Sequence, residues 1–213
     1  MHDLVIIGAG GFGREVAWLV EEINAHQPLW KLIGFIDEDQ SKHGLDLNGY
    51  PVIGDFDDLK YKGKVFAVCA VGNTKRKKEM AKRATVSGLS FANLIHPTAL
   101  LSKHMEMGFG NIICAGSIIT VNVTVKNHVI INLYCTIGHD VTIDSYCTFA
   151  PSVNISGSVV FEEGCEVGTN AAIIPGKTIG KWSMIGAGAV VTSDIPVHST
   201  VVGVPAKPIK YHD

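Results

Sequence analysis

Residues 131–160 read INLYCT IGHDVT IDSYCT FAPSVN ISGSVV, and each block of six opens on Ile or Phe. The register extends in both directions. Every sixth residue from Ile95 to Val197 is apolar, with no gap and no slip. With 46% of the chain hydrophobic, eighteen such positions in a row arise by chance about once in a million. A helix repeats near 3.6 residues and a strand near 2, so neither produces a period of six. A short strand followed by a turn does, and its repetition is the hexapeptide signature of a parallel β-helix.

The other hexad positions agree. Four residues after each anchor the side chain is usually small or aliphatic, as at Val123, Val129, Cys135, Val141, Cys147, Val153 and Cys165. The residue directly after the anchor is often Gly, Asn or Asp, as at Gly108, Asn132, Gly138, Asp144 and Gly168. That composition predicts a tight corner there, where Gly and Asn tolerate positive φ and Asp bonds its own backbone. Three hexads make one triangular coil of about eighteen residues, and stacked coils bury a core that no single coil could bury alone.

Residues 1 to about 92 lack this period. Leu4 to Ile7 reads as a buried parallel strand, Arg14 to Asn24 as a helix, Leu32 to Ile36 as a second strand, Lys64 to Val71 as a third, and Thr74 to Val86 as a basic helix. Alternating strands and helices imply a small parallel sheet with right-handed crossovers. Between the first strand and first helix lies Gly8-Ala9-Gly10-Gly11-Phe12-Gly13. Gly8-x-Gly10-x-x-Gly13 has the context of a phosphate-binding loop, and Asp37 closes the second strand where a ribose-binding acid sits in dinucleotide folds. A purely structural tight turn stays open as an alternative. An NAD site is disfavoured, because about 90 residues hold one mononucleotide unit and no hydride-transfer domain follows.

Composition excludes several classes. The net charge is −2, from 18 basic and 20 acidic side chains, and no basic block marks a nucleic-acid or anionic-membrane partner. No apolar run reaches the ~18 residues of a membrane span, and no cleavable leader is evident, so the expectation is a cytoplasmic protein. Five cysteines without a CxxC pair read as buried free thiols, not as a metal site or disulfide framework. Trp182 and Phe161 read as packing residues. His96, His104, His128 and His198 have no metal-ligand spacing. Lys207 and Lys210 belong either to a solvated tail or near the phosphates of a ligand.

His139 is the strongest chemical candidate. It follows Ile137-Gly138 at a coil corner, with Asp140 beside it. An imidazole titrates near ~6.5 and suits general-base work, and a neighbouring carboxylate can fix its tautomer. The plain alternative is an exposed loop histidine.

The hexads, Ile137-Gly138-His139-Asp140 and the tail Val202-Gly203-Val204-Pro205-Ala206-Lys207 resemble left-handed β-helix acyltransferases. With the Gly-rich loop and the junction Ile95-His96-Pro97-Thr98-Ala99, essentially the whole chain resembles the NeuD/PglD-type sugar acetyltransferases of bacterial surface glycan pathways. The resemblance implies a small Rossmann-like α/β nucleotide-sugar-binding domain over residues 1–92 and a left-handed parallel β-helix acetyltransferase domain over 93–213. It implies a homotrimer, with acetyl-CoA in the groove between neighbouring β-helices, no metal, and N-acetylation of a nucleotide-linked amino-dideoxy sugar. Gly10 and Gly11 would approach the phosphates, Asp37 and Glu38 the base or ribose, and Gly72 and Asn73 the sugar end. His139 would be the base and Asp140 its orienting group. The Gly157 N–H would face the acetyl carbonyl, and Thr148, Thr169 and Ala187 would lie along acetyl-CoA. The chain departs from the family at Phe12 and Thr148, where members often carry His. O-acetylation of sialic acid or a related sugar, and a non-catalytic solenoid binding protein, are the competing readings.

Overall fold

A computed structural model of the chain describes residues 1–59 and 64–212. The N-terminal part is a six-stranded sheet in the order β3-β4-β2-β1-β5-β6. Its strands are β1 (His2–Ile7), β2 (Trp30–Ile36), β3 (Asp46–Leu47), β4 (Tyr50–Gly54), β5 (Phe66–Cys69) and β6 (Ser90–Phe91). All pairings are parallel except β3 with β4. Helix α1 (Gly11–His26) buries the expected stripe of Val16, Ala17, Leu19, Val20 and Ile23, and α2 (Thr74–Val86) lies after β5. The sheet has three strands that the sequence reading lacks: β3, β4 and β6. In β4, Pro51 and Gly54 obscure the strand pattern.

From Leu94 onward the chain winds as a left-handed parallel β-helix. Two-residue strands stack into three faces. The first face contains 112–113, 130–131, 148–149, 166–167 and 184–185; the second contains 118–119, 136–137, 154–155 and 172–173; the third contains 124–125, 142–143, 160–161 and 178–179. Partners are eighteen residues apart, as in Ile113↔Ile131 and Ile137↔Ile155. The anchors from Ile113 to Val191 are buried and form one continuous core with the inward Cys135, Cys147 and Cys165. Phe149 and Phe161 meet edge to face inside it, at 4.9 Å between centroids. All five cysteines are free and buried.

Two details correct the sequence reading. The period slips at its end: Ile179 bridges to Ile195 and Ile185 pairs with Val201, so the last coil is two residues short. Ile195 takes the anchor position, and Val197 is exposed. At the other end Ile95 is also exposed, because no coil covers it. Positive φ, moreover, falls three residues after the anchor rather than one, at Asn122, His128, Tyr134, Asp140, Tyr146, Asn170 and Trp182. The position directly after the anchor is small for another reason. A Cβ on Gly138 would lie 2.7 Å from Gly157 N, and one on Gly168 would lie 2.5 Å from Ala187 N, so neighbouring coils approach too closely for a side chain. Asn132 and Asp144 at this position do bond the backbone, accepting from Leu133 N at 2.7 Å and Ser145 N at 2.6 Å.

The two parts share a hydrophobic core. Val16, Leu19 and Val20 of α1 cluster with Leu94, Ile112, Cys114 and Ile130 of the first face. Helix α2 lies against the corner before that face, where His128 and Tyr146 stack with rings 5.3 Å apart and Lys78 bridges to Tyr146, Trp182 and Glu163. Phe161 is therefore a core packing residue, as expected, whereas Trp182 packs under Lys78 and also lines a crevice of about 190 Å³ with Asn73.

Candidate active site

Four residues on three successive coils, Asn122, His139, Asp140 and Gly157, build the reactive corner between the second and third faces. His139 follows the strand Thr136–Ile137, and its corner is held from both sides: Asp140 N donates to Val121 O at 3.1 Å and Ser158 N donates to His139 O at 2.8 Å. Asp140 adopts φ +59. This reverses the usual divergence of adjacent side chains and brings its Oδ2 to 2.7 Å from His139 Nδ1. Asn122, one coil earlier, donates from Nδ2 to Asp140 Oδ1 at 3.1 Å. The hydrogen bond from His139, then that from Asn122, holds the Asp140 carboxyl below the usual carboxylate range. The ionised carboxylate accepts, so the proton sits on Nδ1 and the Nε2 lone pair is free. Asn122 was missed in the sequence reading, although the eighteen-residue coil period places it directly against Asp140.

Gly157, eighteen residues after His139, lies under the imidazole. A Cβ there would fall 2.5 Å from both Cε1 and Nε2. Only glycine leaves the ring its place. The Gly157 N–H has no acceptor among the described residues.

The other expected site residues lie elsewhere. Thr169 and Ala187 stack on each other at the corner after the first face, with Gly188 N donating to Thr169 O at 2.8 Å. They therefore sit on a different edge of the prism from His139 and Gly157. Thr148, on the first face, is committed within the chain. Its Oγ1 accepts from Lys77 Nζ at 2.6 Å and donates to Gly72 O at 3.1 Å. Its single proton is thus directed at Gly72 O, while the side chain also lines a crevice.

In the N-terminal part, Gly10 caps α1, and the added space of a Cβ at Gly10 or Gly11 would meet nothing within 4 Å. The helix starts at Gly11, so its first amides face an open approach, the arrangement that suits a phosphate. Gly8 and Gly13 instead serve packing: Gly8 has φ +104, and a Cβ on Gly13 would strike Gly8 O. Asp37 accepts from Ala9 N at 2.8 Å, Asp39 N at 3.0 Å and Lys42 Nζ at 3.1 Å. Burial pushes its carboxyl up, but these bonds together hold it below the ordinary value. Glu38 pairs with Arg76 and Arg83. Gly8, Asp37, Glu38 and Arg76 line a small cavity of about 50 Å³ at the C-terminal ends of β1 and β2. Asn73 caps α2 through Arg76 N at 2.9 Å. A larger crevice of about 370 Å³ runs from Phe12 and Gly72 to Asn132, Thr148 and Pro151, between the sheet domain and the first face. Phe12 and Thr148, the two departures from the family pattern, line this one crevice.

Residues 3–84 match the PglD N-terminal domain family. The whole chain is similar to the acetyltransferase domain of PglB from Neisseria gonorrhoeae FA1090, solved in complex with acetyl coenzyme A. The two share 31% identity with a TM-score of 0.87, over 98% of this chain and 99% of that one. The chain belongs to the NeuD/PglD-type sugar acetyltransferase family. Another such acetyltransferase, a histidine variant of perosamine N-acetyltransferase from Caulobacter crescentus in complex with CoA and GDP-perosamine, is 29% identical with a TM-score of 0.91 over 99% of this chain and 98% of that one. Among curated proteins, 2,3,4,5-tetrahydropyridine-2,6-dicarboxylate N-acetyltransferase from Enterococcus faecalis is 47% identical over 47 residues. That match spans 22% of this chain and 20% of the relative, so the chain matches about a fifth of the length of such relatives.

Proposed function

We propose that the chain transfers the acetyl group of acetyl-CoA to an amino group of a nucleotide-linked amino-dideoxy sugar. The observation that carries this is the His139–Asp140 pair lying over Gly157. Asp140 keeps the proton on Nδ1, and Nε2 is the free base. The sugar amine attacks the thioester carbonyl carbon, and Nε2 takes the amine's proton as positive charge develops. The unpartnered Gly157 N–H would receive the tetrahedral oxyanion, a contribution of ~3 kcal/mol in comparable sites. The carbon–sulfur bond then breaks, and the proton on Nε2 passes to the departing thiolate. Acetyl-CoA and an N-acetyl product fit the CoA and acetyl-CoA complexes of the two structural relatives.

The chain divides, on this reading, into a nucleotide-sugar domain at 1–92 and an acetyltransferase domain at 93–213. The diphosphate lies at Gly10 and Gly11, the nucleoside at Asp37 and Glu38, and the sugar at Gly72 and Asn73, of which Gly72 lines the crevice. That crevice opens beside the first corner, where Thr169 and Ala187 stack, whereas His139 stands on the second. One chain therefore does not bring all these groups together, and a homotrimer, in which a neighbouring copy supplies its His139, completes the site. Tyr134 and Leu100, each about two-thirds exposed, provide apolar surface for that contact. No helix among the described residues is long and apolar enough to cross a membrane, and cytoplasmic nucleotide sugars suit the proposed substrate class. The test is acetyl transfer with a panel of nucleotide amino-sugars, read by thiol release, with the His139→Ala protein as the control that must fail.

A further inference from the structure

Lys77 is fully buried, on the inner side of α2. Its Nζ leaves the sheet domain and donates to Cys147 O at 3.0 Å and Thr148 Oγ1 at 2.6 Å on the first face. The groups around it are Cys69 from β5, His128, and Cys147 and Glu166 from the β-helix, and it makes no ion pair among the described residues. Burial pushes the amine down to about 7. A buried cation without a counter-charge costs stability, and well-packed apolar replacements of such groups are often neutral or stabilising. Removal would leave few orphans. Cys147 O also accepts from Ile130 N at 3.0 Å, and Thr148 is half-buried on the crevice, where water can replace the amine. Lys77 is thus poorly explained by stability and well placed for geometry.

We propose that Lys77 is a positioning residue for the sugar end of the crevice: by holding Thr148 Oγ1 it fixes the Gly72 carbonyl, and so the Gly72–Asn73 turn, against the first face of the β-helix. The chain of contacts is short and directional. Lys77 Nζ donates to Thr148, Thr148 donates to Gly72, and Asn73 O accepts from Lys77 N at 2.9 Å, which closes a loop from the turn through α2 to the β-helix and back. Gly72 and Thr148 both line the 370 Å³ crevice, whereas Lys77 itself does not. Its effect reaches a ligand through them. The proposal rests on the reading of this crevice as the nucleotide-sugar site.

Lys77→Met, Thr148→Val and Thr148→Ser separate this role from a packing role. In the ligand-free protein, hydrogen exchange over residues 70–78 should rise about threefold or more in Lys77→Met and Thr148→Val and stay at the wild-type rate in Thr148→Ser, which keeps the hydroxyl. The melting temperature of Lys77→Met should equal or exceed that of the wild type. With GDP-perosamine, or whichever nucleotide amino-sugar turns over best, KM for the sugar should rise about tenfold while KM for acetyl-CoA stays within about twofold. Unchanged exchange in both Lys77→Met and Thr148→Val overturns the proposal. So does a lowered melting temperature with both KM values rising together. If the wild type binds no nucleotide sugar, the reading of the crevice fails, and the exchange result alone still decides whether Lys77 holds the turn.

Discussion

Replacing Gly157 by Ala tests the reactive corner with one methyl group. Gly157 does not have positive φ, so alanine imposes no backbone strain there. The new Cβ would lie 2.5 Å from His139 Cε1 and Nε2 and 3.0 Å from Cδ2, where ordinary contact begins near 3.4 Å. The imidazole must therefore move by about 1 Å, and a displacement of that size costs on the order of 10²-fold in rate, or about 2.7 kcal/mol of transition-state stabilisation. The His139 side chain is 63% exposed, so the ring can swing outward without disturbing the core. Moving it breaks the 2.7 Å bond to Asp140 and releases the tautomer. The Gly157 N–H is retained, so the loss reports on the ring and not on the oxyanion donor. The expected outcome is a melting temperature within about 2 °C of wild type and a kcat lowered about 10²-fold, measured by thiol release from acetyl-CoA with circular dichroism as the folding control. A folded Gly157→Ala protein with kcat within about twofold of wild type would show that the working ring does not sit over Gly157.

Other perturbations probe separate parts of the molecule. His139→Ala should lower kcat by about 10² to 10⁴ with little change in KM for acetyl-CoA, and Asp140→Asn, which keeps the shape, should cost less; steady-state kinetics on both separate the base from its orienting group. Ile143→Asp puts an unpaired charge in the stacked core and should leave no cooperative melting transition by calorimetry. His128 is buried with an unpartnered Nδ1, and burial, with a smaller effect from Lys77, pushes its pKa down to about 4. The unfolded chain binds this proton near ~6.5, so the folded state is fully favoured above about pH 6.5 and loses up to about 3 kcal/mol as pH falls to 4. In urea melts across that range the wild type should lose up to about 3 kcal/mol relative to His128→Phe as pH falls; parallel curves would contradict the assignment.

Much of the fold is written in the hexads, because a solenoid repeats one local solution and each repeat votes for the same register. The slip at Ile195 is invisible to a fixed period: Val197 is apolar and satisfies the count, while Asp194 accepts from Thr178 N and draws the coil in by two residues. The positive-φ position was misplaced because Tyr134, Tyr146 and Trp182 are not residues that announce left-handed backbone. Their rings lie against the previous coil, Tyr134 beside Gly116, Tyr146 on His128 and Trp182 beside Gly164. Strands β3, β4 and β6 were missed in the sheet domain, where two- and five-residue strands carry little pattern. At the site, the His139–Asp140 pair was legible as a motif, and Asn122 was recoverable from the coil length. Lys77 was not legible. In a helix reading Thr-Lys-Arg-Lys-Lys-Glu it looks like one more solvated cation, and only the packing of α2 on the β-helix distinguishes it from Lys75 and Lys78.

In the proposed function the chain makes an amide on a nucleotide-linked amino sugar, with His139 as the base. Mass spectrometry of the sugar nucleotide after incubation with acetyl-CoA tests it most directly. The expected result is one acetyl group gained on the sugar nitrogen, one free coenzyme A released per product, and neither event with the His139→Ala protein. Acetylation confined to a hydroxyl, thioester cleavage without transfer to any amino sugar in a GDP-, UDP- and dTDP-linked panel, or undiminished transfer by His139→Ala would contradict it.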